Sequence, residues 1–506
     1  MNRNKPKKFI AVSFIILMFF VLCVSCAENQ NEGSAETNDG SEEHNIADDT
    51  ANTEEEPEEI KMLPDLPEVD FGGYEFKVIT SDYIADTIMP REISAEEETG
   101  EPINDAIFRR NKHIEEKYDV LILEILHPRD ELNNPVRRAV QSSDNAYDLI
   151  AGNIRELGIL AQSSALHDLT RVNHLDLAKP WYDQNAASDL SVGNKVFFAV
   201  GDLQISNKDG TWSVLFNKQL HQNLNLDDPY PLVIDGNWTM DKMFEMAAAA
   251  NSDLNGDGVM DEEDQWGMLG EEFNIWALMN GSGTRLVQKD ENDLPFYAGY
   301  TQRDTDIFEK ALDYLGDRGK SMLATHYTGK YGNVWNELIN PIFATDRILF
   351  FFTSLSRVTW HRDMDTDFGI LPVPKYEAAQ TGYVSTVSVW LACGMGIPVS
   401  SDGADLDRTA VITEALNAES MYTLTPAYYD TQLKTKLTRD NESAEMLDII
   451  FASRIYSPEQ LYNWGEMIST ITGLLTGNNR NFVSAMDRIE NRIVSGIERT
   501  IETFEN

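Results

Sequence analysis

The stretch SDLNGDGVMDEEDQWG, residues 252–267, sets oxygen-bearing side chains at the spacing of a calcium loop. Asp253, Asn255 and Asp257 take positions one, three and five of such a loop, and Gly258 takes the sharp turn at six. The Val259 carbonyl falls at seven, Asp261 at nine and Asp264 at twelve. A calcium sensor carries the longer Glu at the last place. Asp there suits a weaker extracellular site, at about 10⁻⁴–10⁻³ M. The spacing therefore predicts a structural Ca2+, although the same residues can make a metal-free Asx/Gly turn. The loop occurs once and directly follows an alanine-rich helix, so it reads as a staple at a helix–loop junction.

Catalytic chemistry finds less support. With 84 acidic residues, no pair of carboxylates stands out as an acid/base couple from spacing alone. The eight histidines are scattered without metal-ligand spacing. H-E-x-x-H, G-x-S-x-G and the P-loop are missing, and NGSGTRL and GMGIP lack the spacing of a dinucleotide-binding turn. The chain reads as a non-enzyme. A surface glycoside hydrolase or lyase, or a glycan-binding adhesin without transport, stands as the alternative. The formal charge of -43 argues against nucleic acid and anionic lipid head groups as partners.

The N-terminus begins with Arg3, Lys5, Lys7 and Lys8, runs through an apolar stretch from Phe9 to Val24, and reaches Ser25 and Cys26. That order is a secretory signal peptide, residues 1–25, and the small residue before Cys26 makes a bacterial lipobox with Cys26 as the lipidation site. Cys23 stands where such a box favours Leu. After cleavage Cys26 and Cys393 remain, and acylation of the first leaves no disulfide. Residues 26–70 are Asn-, Glu-, Ser-, Thr- and Asp-rich with too little apolar surface to fold, a self-repelling tether. The expected location is the extracytoplasmic face of the cell membrane, lipid-anchored, in a Gram-positive-type bacterium.

The remainder must supply the scaffold. YEFKVITSD (74–82) alternates as a strand, GEPINDAIFRRNKHIEEKYDV (100–120) reads as a turn and helix, and Val120–Ile125 as another strand. NAYDLIAGN (145–153) is a short buried strand before a helix. This rhythm predicts α/β architecture with a largely parallel sheet. TWSVLFN leads straight into a helix near Lys218, Thr239 caps an alanine-rich helix, and RILFFFTSLSRV (347–358) returns as an apolar strand. The last hundred or so residues are helical.

Four of these segments carry a resemblance. DFGILPVPKYEAAQTGYVSTVSVWLACGMGIP (367–398), GDLQISNKDGTWSVLFNKQL (201–220), DGNWTMDKMFEMA (235–247) and the helix at 100–120 together resemble the extracellular solute-binding proteins, family 1-like, of carbohydrate-type ABC importers. The resemblance implies a two-lobed, periplasmic-binding-protein-like fold of type II, with discontinuous lobes joined by crossover strands. It divides the chain into lobe 1 at 71–202, lobe 2 at 203–350 with the calcium loop 253–264, a return to lobe 1 at 351–405, and a helical region at 406–506 mainly on lobe 2. It implies a monomer that captures a carbohydrate, an oligosaccharide, in the interlobe cleft and delivers it to ABC permease subunits.

Sugar recognition needs flat apolar faces for ring C–H groups and planar polar side chains for hydroxyls. On the resemblance, Trp212, Trp276, Trp360, Trp390 and Tyr383 are the stacking candidates, and Asp202, Asp209, Asn280 and Arg357 the hydrogen-bonding ones. Trp212 and Trp276 lead because each stands near Gly or Asn in a loop-like context. Trp266 and Trp335, in helical or loop-supporting patterns, are expected in the core.

Overall fold

In the computed structural model the described residues are 61–82, 92–128, 131–429 and 441–505. The signal peptide, Cys26 and the tether as far as residue 60 lie outside them. A compact unit runs from Met62 to Asn506.

Its first sheet has the order β12-β3-β1-β2, formed by β1 (Tyr74–Asp82), β2 (Val120–Pro128), β3 (Leu149–Asn153) and β12 (Cys393–Gly396). β1 pairs parallel with β2, Tyr74 against Val120, and parallel with β3, while β12 joins β3 antiparallel. The second sheet has the order β10-β4-β9-β5-β8, with β4 at Trp212–Asn217, β5 at Trp266–Gly270, β8 at Met322–Leu323, β9 at Ile348–Ser354 and β10 at Phe368–Leu371. Every residue of β4 and β9 is buried, as expected of strands covered on both faces. Small pairs complete the set: β6 (Val287–Lys289) with β7 (Pro295–Tyr297), and β11 (Ser385–Thr386) with β13 (Arg454–Ile455).

Local chemistry explains the helix ends. Glu101 caps the helix Pro102–Tyr118 by accepting from the Ile103 and Asn104 amides, and Asp119 ends it in the left-handed region. Ile103, Ile107 and Ile114 are buried, as the apolar spacing predicts. Thr239 accepts from the Lys242 amide to open the helix Met240–Ala250.

The lobes are discontinuous, and the structure shifts their boundaries. β9 and β10 stay in the second sheet, so the chain returns to the first sheet at β12, well after residue 351. The helix Gly403–Tyr422 buries Ala410, Val411, Ile412 and Leu416 in the core of β1 and β2, so this part of 406–506 belongs with the first lobe. The helices Met467–Thr476 and Phe482–Glu505 bury Ile471, Leu475, Met486 and Ile493 with Trp238 and Met268 under the second sheet. Residues 62–70 are also not free tether, because Leu66 and Val69 pack on the first core and the Met62 amide donates to Tyr422 Oη at 2.7 Å.

The segments that cross between lobes touch backbone to backbone. Thr211 bridges Val387, and the Ser388 amide donates to the Gly210 carbonyl at 2.8 Å. A Cβ at Gly210 would sit 2.9 Å from the Ala392 nitrogen, so this crossing requires glycine. Cys393 is buried, and its thiol faces the Leu391 carbonyl at 3.8 Å.

Candidate functional site

A cavity of about 270 Å³ opens where the second sheet faces this crossing. Its second-lobe wall comes from strand ends. Trp212 starts β4 opposite Ser354, the last residue of β9, and the short helix Ser356–Trp360 that follows β9 supplies Arg357. Glu271 and Phe273 lie in the turn that leaves β5, where the Asn274 side chain accepts from the Glu271 amide at 2.7 Å. In open α/β sheets this edge is where ligands bind.

Asn333, Trp335 and Asn336 come from a capped turn, in which Asn333 Oδ1 accepts from the Trp335 and Asn336 amides, each at 3.1 Å. The first-lobe wall is Ser388, Trp390 and Leu391 on the returning segment. That segment is tied to the first lobe by Arg155 and Ile154, whose amides donate to Val389 and Ala392.

Aromatic surface dominates. Trp212 meets the Phe352 edge at 6.2 Å, and Phe273 lies against Trp390 with centroids 4.6 Å apart. The Arg357 guanidinium stands 4.7 Å above the Trp335 ring and 5.8 Å from that of Trp360. Burial pushes the Glu271 carboxyl up to about 8, with Glu272 adding to the rise and Arg357 opposing it. At neutral pH it is therefore mostly a neutral acid, able to donate as well as accept. Flat apolar faces beside Arg357, Glu271, Asn333, Asn336 and Ser388 make a wall suited to a polyhydroxylated ring.

Among the residues singled out from the sequence, the cavity brings together Trp212, Arg357 and Trp390, with Trp360 packed against the same guanidinium. The others stand elsewhere. Trp276 and Asn280 are buried one turn apart on the helix Asn274–Gly281, and Trp276 Nε1 donates to Ser457 Oγ at 3.3 Å. Tyr383 Oη donates to the Val233 carbonyl at 2.9 Å. Asp202 pairs with Lys208 at 2.8 Å on the first crossing segment. Asp209 is buried and accepts from Tyr428 Oη at 2.5 Å, and burial pushes its carboxyl up to about 6.

Trp266 is core, with Nε1 donating to the Asp261 carbonyl at 2.7 Å. Trp335, expected beside it in the core, instead lines the cavity. Glu271, Phe273 and Asn333 went unnoticed in the sequence. Their only signal is position: GEEFN follows a buried strand directly, and GNVWN is a Gly/Asn loop opening a helix.

In the loop 253–264 the carboxylates turn onto the loop's own amides. Asp253 accepts from Gly256 at 2.6 Å and from Gly258 at 2.8 Å, and Asn255 from Asp257 at 2.9 Å. Asp257 accepts from Val259 and Asp261 from Glu263, each at 2.8 Å. The buried Asp264 accepts from Leu254 and Asp261, each at 2.9 Å. Gly258 has φ 82, the left-handed turn the pattern requires. Among the described residues no three acidic, His or Cys side chains converge into a metal-holding group. As placed, these bonds make a series of Asx turns along the loop.

Comparison with solved structures finds the same architecture at low identity. An ABC substrate-binding protein from Listeria monocytogenes, solved with cycloalternan, superposes with a TM-score of 0.56 at 12% identity, covering 85% of this chain and 99% of its own. A cyclic α-maltosyl-1,6-maltose binding protein from Arthrobacter globiformis gives 0.57 at 14% identity, with 84% and 100% covered. A cyclo/maltodextrin-binding protein bound to maltotetraose gives 0.54 at 11%, with 86% and 98% covered. No protein-family model and no curated protein matches the sequence. The chain has the two-lobed type II fold of these structures.

Proposed function

We propose that this chain is an extracytoplasmic solute-binding protein that captures a carbohydrate between its lobes and delivers it to an ABC permease. The observation that carries the reading is the cavity wall: Trp212, Phe273, Trp335 and Trp390 around Arg357 and Glu271. Binding proteins of the same fold, solved with cycloalternan and with maltotetraose, support it. Among the described residues the wall holds one carboxyl, Glu271, where glycoside hydrolysis uses two flanking the bond, which favours binding over cleavage.

The lipobox ending at Cys26 supports a lipid anchor for a monomer held at the membrane surface. Among the described residues no helix is long and apolar enough to cross a membrane. For the loop 253–264 we propose a structural calcium ion, taken up as the carboxylates that cap backbone amides rearrange around it. The order of donor types supports this reading.

A thermal-shift screen of mono- and oligosaccharides tests the function. A ligand of the folded state stabilises by RT ln(1 + [L]/Kd), so one sugar class should raise the melting temperature and be recovered unchanged. Release of reducing ends would point to the hydrolase instead.

A further inference from the structure

The turn after β5 is held through its backbone. The Glu271 amide donates to Asn274 Oδ1 at 2.7 Å, and the Glu271 carbonyl accepts from the Asn274 amide at 3.1 Å. A Cβ at Gly270 would sit 2.1 Å from that Asn274 oxygen, so the strand must end in glycine for the turn to form. The Glu271 carboxyl takes no part in this. Among the described residues it accepts no hydrogen bond and closes no ion pair, although it lines the cavity with Arg357. Arg357 acts on it through space, as does Glu272 on the same turn. Among the described residues the cavity has no third ionisable side chain. Asn333, Asn336 and Ser388 are neutral, and Glu337, beside Asn336, accepts from the Asn333 amide at 2.7 Å.

A carboxyl placed in this way costs the fold stability. Beside Trp212, Phe273, Trp335 and Trp390 its carboxylate loses water without gaining a donor, so the acid form is favoured. The upward shift to about 8 has that cause. An apolar residue at 271 would meet the same rings without the cost. An acid held there with no partner from its own chain points to a partner from outside. As the acid it has an O–H to donate and a carbonyl oxygen to accept with. Arg357, across the same wall, can only donate.

We propose that Glu271 is a ligand-recognition residue of this cleft that works as the protonated acid: it donates its O–H to an oxygen of the sugar, and capture depends on the proton it carries. The inference rests on the carbohydrate reading above. Ionisation removes the donor and sets negative charge against the lone pairs of the ligand oxygen. The competent fraction of the protein therefore falls as pH rises through the titration of Glu271, and the apparent Kd rises by the inverse of that fraction.

The test is calorimetric titration of the wild type, Glu271→Gln and Glu271→Ala with neutral gluco- and manno-oligosaccharides between pH 6.5 and 9.5. Melting curves at each pH confirm that the protein titrated is folded. Wild-type affinity should hold to about pH 7.5 and then fall, reaching about thirtyfold weaker at pH 9.5. Glu271→Gln keeps an N–H donor in the same place and cannot ionise. It should bind within about threefold of the wild type at pH 6.5 and keep that affinity to pH 9.5. Glu271→Ala should be about three- to tenfold weaker at pH 6.5, the value of one neutral hydrogen bond, with no further loss at high pH. Wild-type affinity that holds or rises with pH, or a Gln variant that falls at high pH as the wild type does or binds no better than the Ala variant, overturns the protonated donor and leaves carbohydrate capture intact. Failure of every saccharide to bind at any pH overturns the carbohydrate reading itself, and this role with it.

Discussion

Arg357 carries its guanidinium 4.7 Å above the ring of Trp335, and both groups line the same cavity. The contact joins the start of the helix after β9 to a capped Asn turn twenty-two residues earlier in the chain. It fixes the one cation that the described residues give the cavity wall and leaves Trp335, which is half-buried, to face a ligand. Arg357→Lys should therefore weaken binding by about 1–2 kcal/mol, because an ammonium cannot replace the planar stack. Equal affinities for wild type and Arg357→Lys, by titration calorimetry, would remove the stack from the account.

Trp276 makes the opposite prediction. It is buried in the second-lobe core on the helix Asn274–Gly281. Trp276→Ala should lower stability by about 3–5 kcal/mol in denaturant unfolding. The protein that remains folded should bind ligand as before. A variant of normal stability that had lost its ligand would return Trp276 to the site.

His361 gives a pH dependence. It is buried with Phe343, Phe351 and Phe368 around it edge-on, at 4.9, 6.0 and 6.4 Å. Burial, with Arg357 adding to it, pulls its pKa down to about 4, against about 6.5 in an unfolded chain. Between those values the unfolded state binds more protons, so stability is full above pH ~6.5 and is lost as pH falls toward 4. His326, lowered to about 4 by burial and Arg318, acts with the same sign. His361→Phe should flatten part of the fall in melting temperature from pH 7 to 4.5, and an unchanged slope would contradict this assignment.

The loop 253–264 is predicted to act as a fastener. Asp264→Ala strips the acceptor from two amides at a fully buried position and should cost about 1–3 kcal/mol of stability. Millimolar calcium should raise the wild-type melting temperature, chelator should reverse the gain, and Asp253→Ala should abolish it. A melting temperature indifferent to calcium would leave the loop as a metal-free set of Asx turns.

Fold and site were not equally legible. The period-two run of β1, the apolar run of β4, the caps Glu101 and Thr239, and the Ile103–Ile107–Ile114 stripe are local signals, and each marks an element. Which sheet an element joins is not local. The helix Gly403–Tyr422 is buried nearly all round, so no polar face in its sequence distinguishes one lobe from the other. The site suffers from the same gap. Trp276 and Trp335 each stand near an Asn in the sequence, and only tertiary packing buries one in the core and sets the other in the cavity wall. Glu271 is one acid among many until the turn after β5 brings it beside Arg357.

The central claim is carbohydrate capture by this aromatic wall, and paired titrations of wild type and Trp335→Ala with the saccharide that gives the strongest thermal shift test it most directly. A stacking indole at a binding hot spot is worth about 2 kcal/mol or more. The account predicts one-site saturation by the wild type with the sugar recovered intact, and a Kd raised about thirtyfold or more in Trp335→Ala. Equal affinity in the two proteins, or a sugar returned cleaved, would contradict it.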